Sequence, residues 1–214
     1  MRKLPSFNCR SNNYFAKDLD ELIRKLGIAD FHVAAFTFGP FVALDYVTRY
    51  TNSIKSMLFF NFGFLPNSEF ISSFAPATIT FVFNNMMRKL TWWLPAYIFA
   101  RLVLSRNTIL KHDIMIGFES LGFCASEAIE QTTRQITSIE TTSMLPEMVR
   151  SIKVPMLFVA GDGDAIMTPE NTKKLQEMTS TGSYLCVPEC GHLITLELPE
   201  TAGEIVLNHV IANS

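Results

Sequence analysis

The stretch Phe31-His32-Val33-Ala34-Ala35-Phe36-Thr37-Phe38-Gly39-Pro40 constrains this chain more than any other. A short apolar run ends in a sharp turn, and an amphipathic helical pattern follows at once. That is the layout of a nucleophile elbow, in which a strained turn joins a strand to a helix and lifts one side chain clear of a sheet. The usual pattern is Gly-x-Ser-x-Gly; here the five positions are Ala35, Phe36, Thr37, Phe38 and Gly39. The frame fits, with alanine for the first glycine and threonine for the serine. Thr37 either does chemistry or only occupies the place of a serine. Its γ-methyl makes it stiff, and strained backbone tolerates a branched side chain poorly, which weighs toward a relic of the fold.

The elements around this stretch alternate. A helix is expected from Phe15, with Asn13 as N-cap, Leu19, Leu22, Ile23 and Leu26 on its apolar face, and Gly27 as its stop. Residues Met1 to Asn13 read as polar and irregular. Phe31 to Ala35 is then a buried strand, Gly39 to Tyr50 a helix that tolerates Pro40 in its first turn, and Ser56 to Phe60 a second buried strand. Two strands separated by one helix suggest a βαβ unit and a parallel sheet. Later come a strand at Val154 to Ala160, a turn at Gly161-Asp162-Gly163-Asp164, and a helix opened by Thr168-Pro169-Glu170. Tyr184 to Val187 is a fourth strand, Pro188 to His192 a loop, and Leu198-Pro199-Glu200 opens the last helix.

Between Gly63 and Leu145 the pattern changes. Phe70, Phe74, Phe81, Phe83, Met86, Met87, Trp92 and Trp93 crowd at helical spacing, with breaks at Pro76, Pro95, Gly117 and Gly122. This reads as a helical cap, residues 64–145, inserted into an α/β core formed by residues 1–63 and 146–214. Its aromatic and Met-rich surface packs onto the core or offers an apolar pocket or partner surface.

Composition removes several function classes. A net charge of -2 gives no basic field for nucleic acid. The N-terminus has charge without an apolar run behind it, so no signal peptide is expected. The longest apolar runs, such as Trp92 to Ala100, fall short of a spanning helix, although Trp92 and Trp93 with Arg88, Lys89 and Arg101 leave peripheral membrane contact as a reading. Cys9, Cys124, Cys186 and Cys190 read as reduced thiols of a cytosolic protein. Cys186, Cys190 and His192 are close in sequence, but no second pair completes a metal site, and no cofactor is implied. His112 and His209 sit on helices without a visible partner, and His32 reads as a packed strand neighbour.

Three residues fall in a telling order. Thr37 follows one strand, Asp164 a later one and His192 the last. Nucleophile, acid, histidine is the order of α/β-hydrolases, and each position lies past the carboxyl end of a strand, where open α/β sheets gather their sites. The chemistry needs an oxygen nucleophile, an imidazole to take its proton, and a carboxylate to hold the imidazole's tautomer. Each also has a bland reading: Asp164 closes an Asx-turn or caps the region of Thr168, Asp162 is solvated, and His192 is a histidine in a surface loop.

At these residues the chain resembles the α/β-hydrolase superfamily. The segment Asp18 to Val33 is similar to the helix and strand before the elbow, and Ser151 to Gly161 to the strand before the acid. Within the superfamily the likeness is to maspardin-like proteins, a group generally regarded as lacking hydrolase activity. It is carried by Trp93-Leu94-Pro95-Ala96, Leu102-Val103-Leu104, Glu119-Ser120-Leu121-Gly122 and Ala125-Ser126. The resemblance implies an incomplete α/β-hydrolase fold, a mainly parallel sheet with a helical cap whose front strands are missing. Phe38 would supply one oxyanion donor through its backbone N–H, and no segment before Phe15 supplies the other. The elbow strand would then show an unpaired apolar edge: either the chain is a truncated product, or a protein partner or a second copy in a homodimer covers that edge. The function implied is a non-catalytic protein-binding role in trafficking or signalling, in the cytoplasm or at an endosomal or Golgi membrane surface. The alternative is a weak esterase or lipase using Thr37, Asp164 and His192.

Overall fold

The computed structural model describes residues 10–50, 54–64, 69–81, 104 and 124–214. Its centre is a sheet of four parallel strands in the order β1-β2-β3-β4: β1 Phe31–Phe36, β2 Ile54–Phe60, β3 Met156–Gly161 and β4 Gly182–Val187. The helices are α1 Arg10–Leu26, α2 Gly39–Arg49, α3 Glu69–Phe81, α4 Ser126–Ile136, α5 Ile139–Ser151, α6 Pro169–Gln176, α7 Ile194–Glu197 and α8 Pro199–Ala212. All four expected strands are present; β1, β2 and β4 extend one or two residues beyond an expected end, whereas β3 starts two residues after Val154 and ends one after Ala160.

Strand alternation divides the core. Met57 and Phe59 of β2 and Met156 and Phe158 of β3 point to one face, where they meet Phe41 and Leu44 of α2, Leu145, Met148 and Val149 of α5, and Leu175 of α6. Leu58, Phe60, Val159 and Val187 point to the other face and meet Ile194 of α7 and Ala202 of α8. Both faces are covered, so β2 and β3 read as nearly continuous apolar runs. Gly63, just beyond β2, lies against α6: a Cβ there would come within 2.7 Å of the Thr172 backbone nitrogen, so the close approach of this loop requires glycine.

Several expectations change. α1 begins at Arg10, so Asn13 lies inside the helix and is not its cap. Gly27 does end it, at φ +65°. Ala16, Leu19 and Ile23 face Tyr46, Phe31 and Ile54, whereas Phe15, Leu22 and Leu26 are exposed, because α1 packs along α2 at the margin of the sheet. β1 is half-buried and not buried: in the described sheet it pairs with β2 alone and forms an edge. α3 runs through Pro76 without the expected break; the proline is buried while α3 packs along α4. α7 was not expected. The aromatic residues Phe83, Trp92 and Trp93, with Met86, Met87, Pro95, His112, Gly117 and Gly122, lie outside the described residues, as does the side chain of Phe70. No helix among the described residues is long and apolar enough to cross a membrane.

The two histidines of the sheet margin differ in their surroundings. His32 Nδ1 and Ser56 Oγ are hydrogen-bonded at 2.7 Å across β1 and β2. His209, on α8, is half-buried and is in contact with the Met57 backbone. Burial, then the nearby His32, push its pKa below the ordinary 6.5 despite a hydrogen bond with that backbone. A lowered histidine pKa means that the unfolded chain binds the proton more readily. Stability is therefore whole above 6.5, declines as pH falls from there toward the folded value, and levels off below it. Chemical denaturation at about pH 8 and about pH 5 should show a smaller loss in His209→Gln than in the native protein.

Candidate active site

β1, β3 and β4 end at the same edge of the sheet, and each delivers one of the three residues singled out in the sequence. Thr37 follows β1 directly at φ +52°. This left-handed region is uncommon outside glycine and unfavourable for a β-branched residue, at a cost of about 1–3 kcal/mol. The turn is fixed on both sides: the Thr37 N–H donates to the Phe60 carbonyl at 3.1 Å, and α2 starts at Gly39 with Pro40 in its first turn. Gly39 also explains how alanine fits the first position of the motif. A Cβ at 39 would lie 3.2 Å from the Ala35 Cβ, so the second glycine leaves the room that Ala35 occupies.

His192 comes from the loop after β4. It is buried, not on the surface, and its ring centroid lies 5.6 Å from that of Phe36. Four contacts fix the loop. The Cys190 N–H donates to Asp162 Oδ1 at 3.2 Å, and the Gly163 N–H donates to the Cys190 carbonyl at 2.8 Å. The Gly191 N–H donates to the buried Glu197 Oε1 on α7 at 2.8 Å, and Asn61 Nδ2 donates to the Gly191 carbonyl at 3.3 Å. Asp162 is thus exposed yet engaged, which the reading of a merely solvated side chain missed.

Asp164 plays two parts at once. Its Oδ1 accepts from the N–H groups of Ile166 and Met167 at 2.8 and 2.9 Å, closing the Asx-turn ahead of α6. Its Oδ2 lies 2.8 Å from His192 Nδ1 and accepts from Asn61 Nδ2 at 2.8 Å. Thr168 independently caps α6 through its Oγ1, so Asp164 is not needed as that helix's cap.

The chain of contacts ends at Thr37, whose Oγ1 is 3.0 Å from His192 Nε2. An ionised carboxylate only accepts, so the Nδ1 of a neutral His192 carries the proton and Nε2 presents its lone pair to the threonine hydroxyl. The expected residues Thr37, Asp164 and His192 are therefore brought into one hydrogen-bonded line. The fourth, Phe38, caps α2 at φ −84°; its N–H stands at the start of a helix, where no residue of the preceding turn takes it and where the helix dipole favours negative charge. The Phe15 and Phe41 rings flank Phe38 at centroid distances of 5.9 and 6.1 Å. A second donor was expected to be absent before Phe15; residues 1–9, on which part of that expectation falls, lie outside the described residues.

Sequence reasoning missed Asn61 and Glu197. Asn61 had a visible signal: it is an amide placed directly after the apolar run of β2, at the same sheet edge as the other three.

Searched by sequence, the chain matches no family model and no curated protein. Its fold has many solved counterparts. BpoC of Mycobacterium tuberculosis H37Rv, assigned as a non-heme bromoperoxidase, superposes with a TM-score of 0.77 at 18% identity, over 95% of this chain and 75% of that one. A thermophilic esterase from Thermogutta terrifontis superposes at 0.73 and 18% identity, over 93% and 72%. An esterase from Exiguobacterium antarcticum does so at 0.76 and 15% identity, over 93% and 73%. Likeness at this identity defines the fold: a parallel sheet with flanking helices of the α/β-hydrolase type, here with four described strands.

Proposed function

We propose that this α/β-hydrolase-fold chain is a carboxylic ester hydrolase that uses Thr37 as nucleophile. The observation that carries this is the unbroken line from Thr37 Oγ1 through His192 to Asp164, at 3.0 and 2.8 Å. Such distances match a nucleophile, base and orienting acid. The esterases among the structural neighbours support the same reading.

His192 Nε2 takes the hydroxyl proton as Thr37 Oγ1 bonds to the ester carbonyl carbon. The oxyanion that forms faces the Phe38 N–H. The C–O bond to the alcohol then breaks, and the alcohol leaves with the proton held by His192. Water, deprotonated by the same nitrogen, attacks the threonyl ester, frees the acid and restores the hydroxyl. Asp164 keeps its charge throughout and stabilises the imidazolium.

The left-handed backbone at Thr37 gives the test. Serine fills the same place without the γ-methyl. Thr37→Ser should raise kcat for short-chain esters by about tenfold and stability by about 1 kcal/mol, in steady-state kinetics and chemical denaturation. A serine-hydrolase probe should label residue 37 in both forms. If the native protein and Thr37→Ser both stay at background, the hydrolase reading is wrong.

A second reading has its own support. It is a maspardin-like, non-catalytic role in protein binding, within trafficking or signalling in the cytoplasm or at an endosomal or Golgi surface. The strain at Thr37 and the exposed margin of the sheet favour it. β1 carries neither lysine nor proline, the residues that commonly protect an edge. Leu22, Leu26, Leu207 and Ile211 on α1 and α8 are more than half exposed. A protein partner or a second copy would occupy this margin. A monomeric sedimentation profile across concentration, together with labelling at Thr37, would remove it.

A further inference from the structure

We propose that Asn61 is a positioning residue of this site, one that holds the acid and the base loop in register through its amide nitrogen. The rate prediction below rests on the hydrolase reading; the geometry does not. Asn61 is completely buried and follows β2 at φ +50°, a left-handed conformation that asparagine tolerates better than most residues. Its backbone N–H is tied to the Val159 carbonyl at 2.8 Å, which fixes the direction of the side chain.

The single Nδ2 reaches two acceptors. One is Asp164 Oδ2, at 2.8 Å, the same oxygen that faces His192 Nδ1. The other is the Gly191 carbonyl, at 3.3 Å, in the peptide that leads into His192. Were the amide turned over, its oxygen would face a carboxylate and a carbonyl, two acceptors, so the nitrogen occupies this place. Asp164 arrives from β3 and His192 from β4, while Asn61 arrives from β2, between β1 and β3. It therefore ties the acid to the loop of the base from a strand that supplies neither. Glu197 holds the N–H of the same Gly191 residue whose carbonyl Asn61 holds. Together they leave the glycine before His192 little freedom to turn. A carboxylate that keeps both hydrogen bonds on Oδ2 stays pointed at the imidazole.

The test uses the full chain. Asn61→Leu removes the donor at nearly constant size. Asn61→Asp keeps the size and places a second carboxyl against Asp164, where the pair titrates as a unit with one proton held more tightly. While protonated, the new carboxyl donates as the amide did; once ionised it repels. With a short-chain aryl ester, Asn61→Leu should lower kcat tenfold or more at unchanged KM. Asn61→Asp should add a descending limb to the pH profile of kcat, absent from the native protein, as pH rises. Proton NMR of the His192 Nδ1–H gives a readout that needs no turnover: its resonance should move or broaden in Asn61→Leu. A role limited to filling space predicts none of these in Asn61→Asp. Native kcat, pH profile and Nδ1–H resonance in both variants would overturn the proposal. Where no ester is turned over by any form, a displaced Nδ1–H resonance upholds Asn61 and counts against the hydrolase reading alone, whereas an unmoved one overturns Asn61. Should Asn61→Leu fail to fold, Asn61→Asp, which suits the left-handed turn, decides by the same resonance.

Discussion

Replacing His192 by alanine is expected to reduce ester turnover by about 10⁶-fold, to the residual rate of roughly 10³–10⁴ over water that binding and the Phe38 N–H sustain. The reason is specific to this geometry. Among the described residues the threonine hydroxyl has one base within reach, His192 Nε2 at 3.0 Å, and without it the nucleophile stays protonated at neutral pH. Asp164→Asn should cost less, about 10⁴-fold, by another route. The amide would donate toward Nδ1 or leave it without an acceptor, so the proton moves to Nε2 and that nitrogen can no longer take one from Thr37. Asp164→Asn should also lower stability by about 1–3 kcal/mol, because the amide nitrogen in the place of Oδ2 would face the buried Asn61 Nδ2, a donor against a donor, while the amide oxygen keeps the Asx-turn. His32→Ala is the control: it removes a histidine of β1 that hydrogen-bonds Ser56 and should leave kcat unchanged. Steady-state kinetics and probe labelling on the four proteins check the pattern. Equal activity in the native protein and His192→Ala would show that any turnover arises elsewhere.

The second large effect is expected at Gly161, which touches no substrate. A Cβ built there would lie 2.3 Å from the Cys190 carbonyl oxygen and 2.5 Å from that of Gly191. Both neighbours are backbone, so no side chain can swing away. Gly161→Ala must therefore push the loop off the end of β3 or bend the strand. The loop is fastened by Asp162, Glu197 and Asn61, and any shift is passed on to His192. Overpacking of this kind costs about 1–3 kcal/mol. A displacement of about 1 Å at the base costs roughly 10²-fold in rate. Chemical denaturation and kcat should thus fall together in Gly161→Ala. By contrast Gly203, on α8, has nothing within 4 Å of its added Cβ, and Gly203→Ala should be neutral or stabilise by up to about 1 kcal/mol. Activity unchanged in Gly161→Ala would mean that the loop has slack that its hydrogen bonds do not suggest.

Parts of the site were legible before any coordinates because they depend on local chemistry. A strand followed at once by a helix leaves only a sharp turn between them, so Thr37 had to sit on it. The cap at Thr168 and the stop at Gly27 are set by side chains within three residues. The order of Thr37, Asp164 and His192 could be read because each follows an apolar run. Glu197 follows no strand, and Asn61, which does, showed its place at the sheet edge but not its role. An asparagine after a strand is common, and its value here comes from Asp164 and Gly191, 103 and 130 residues away. Residue spacing carries no information at that range.

The apolar runs of β1, β2 and β3, with α2 between the first two and α6 after the third, fix a parallel sheet and the edge at which its loops meet, because period and turn chemistry act over a few residues. Tertiary structure alone decided that the histidine is buried and not exposed, that an amide from β2 joins the site, and that one carboxylate serves both a turn and an imidazole. Those outcomes depend on how closely separate strands approach, and that distance is set by packing between segments far apart in the chain.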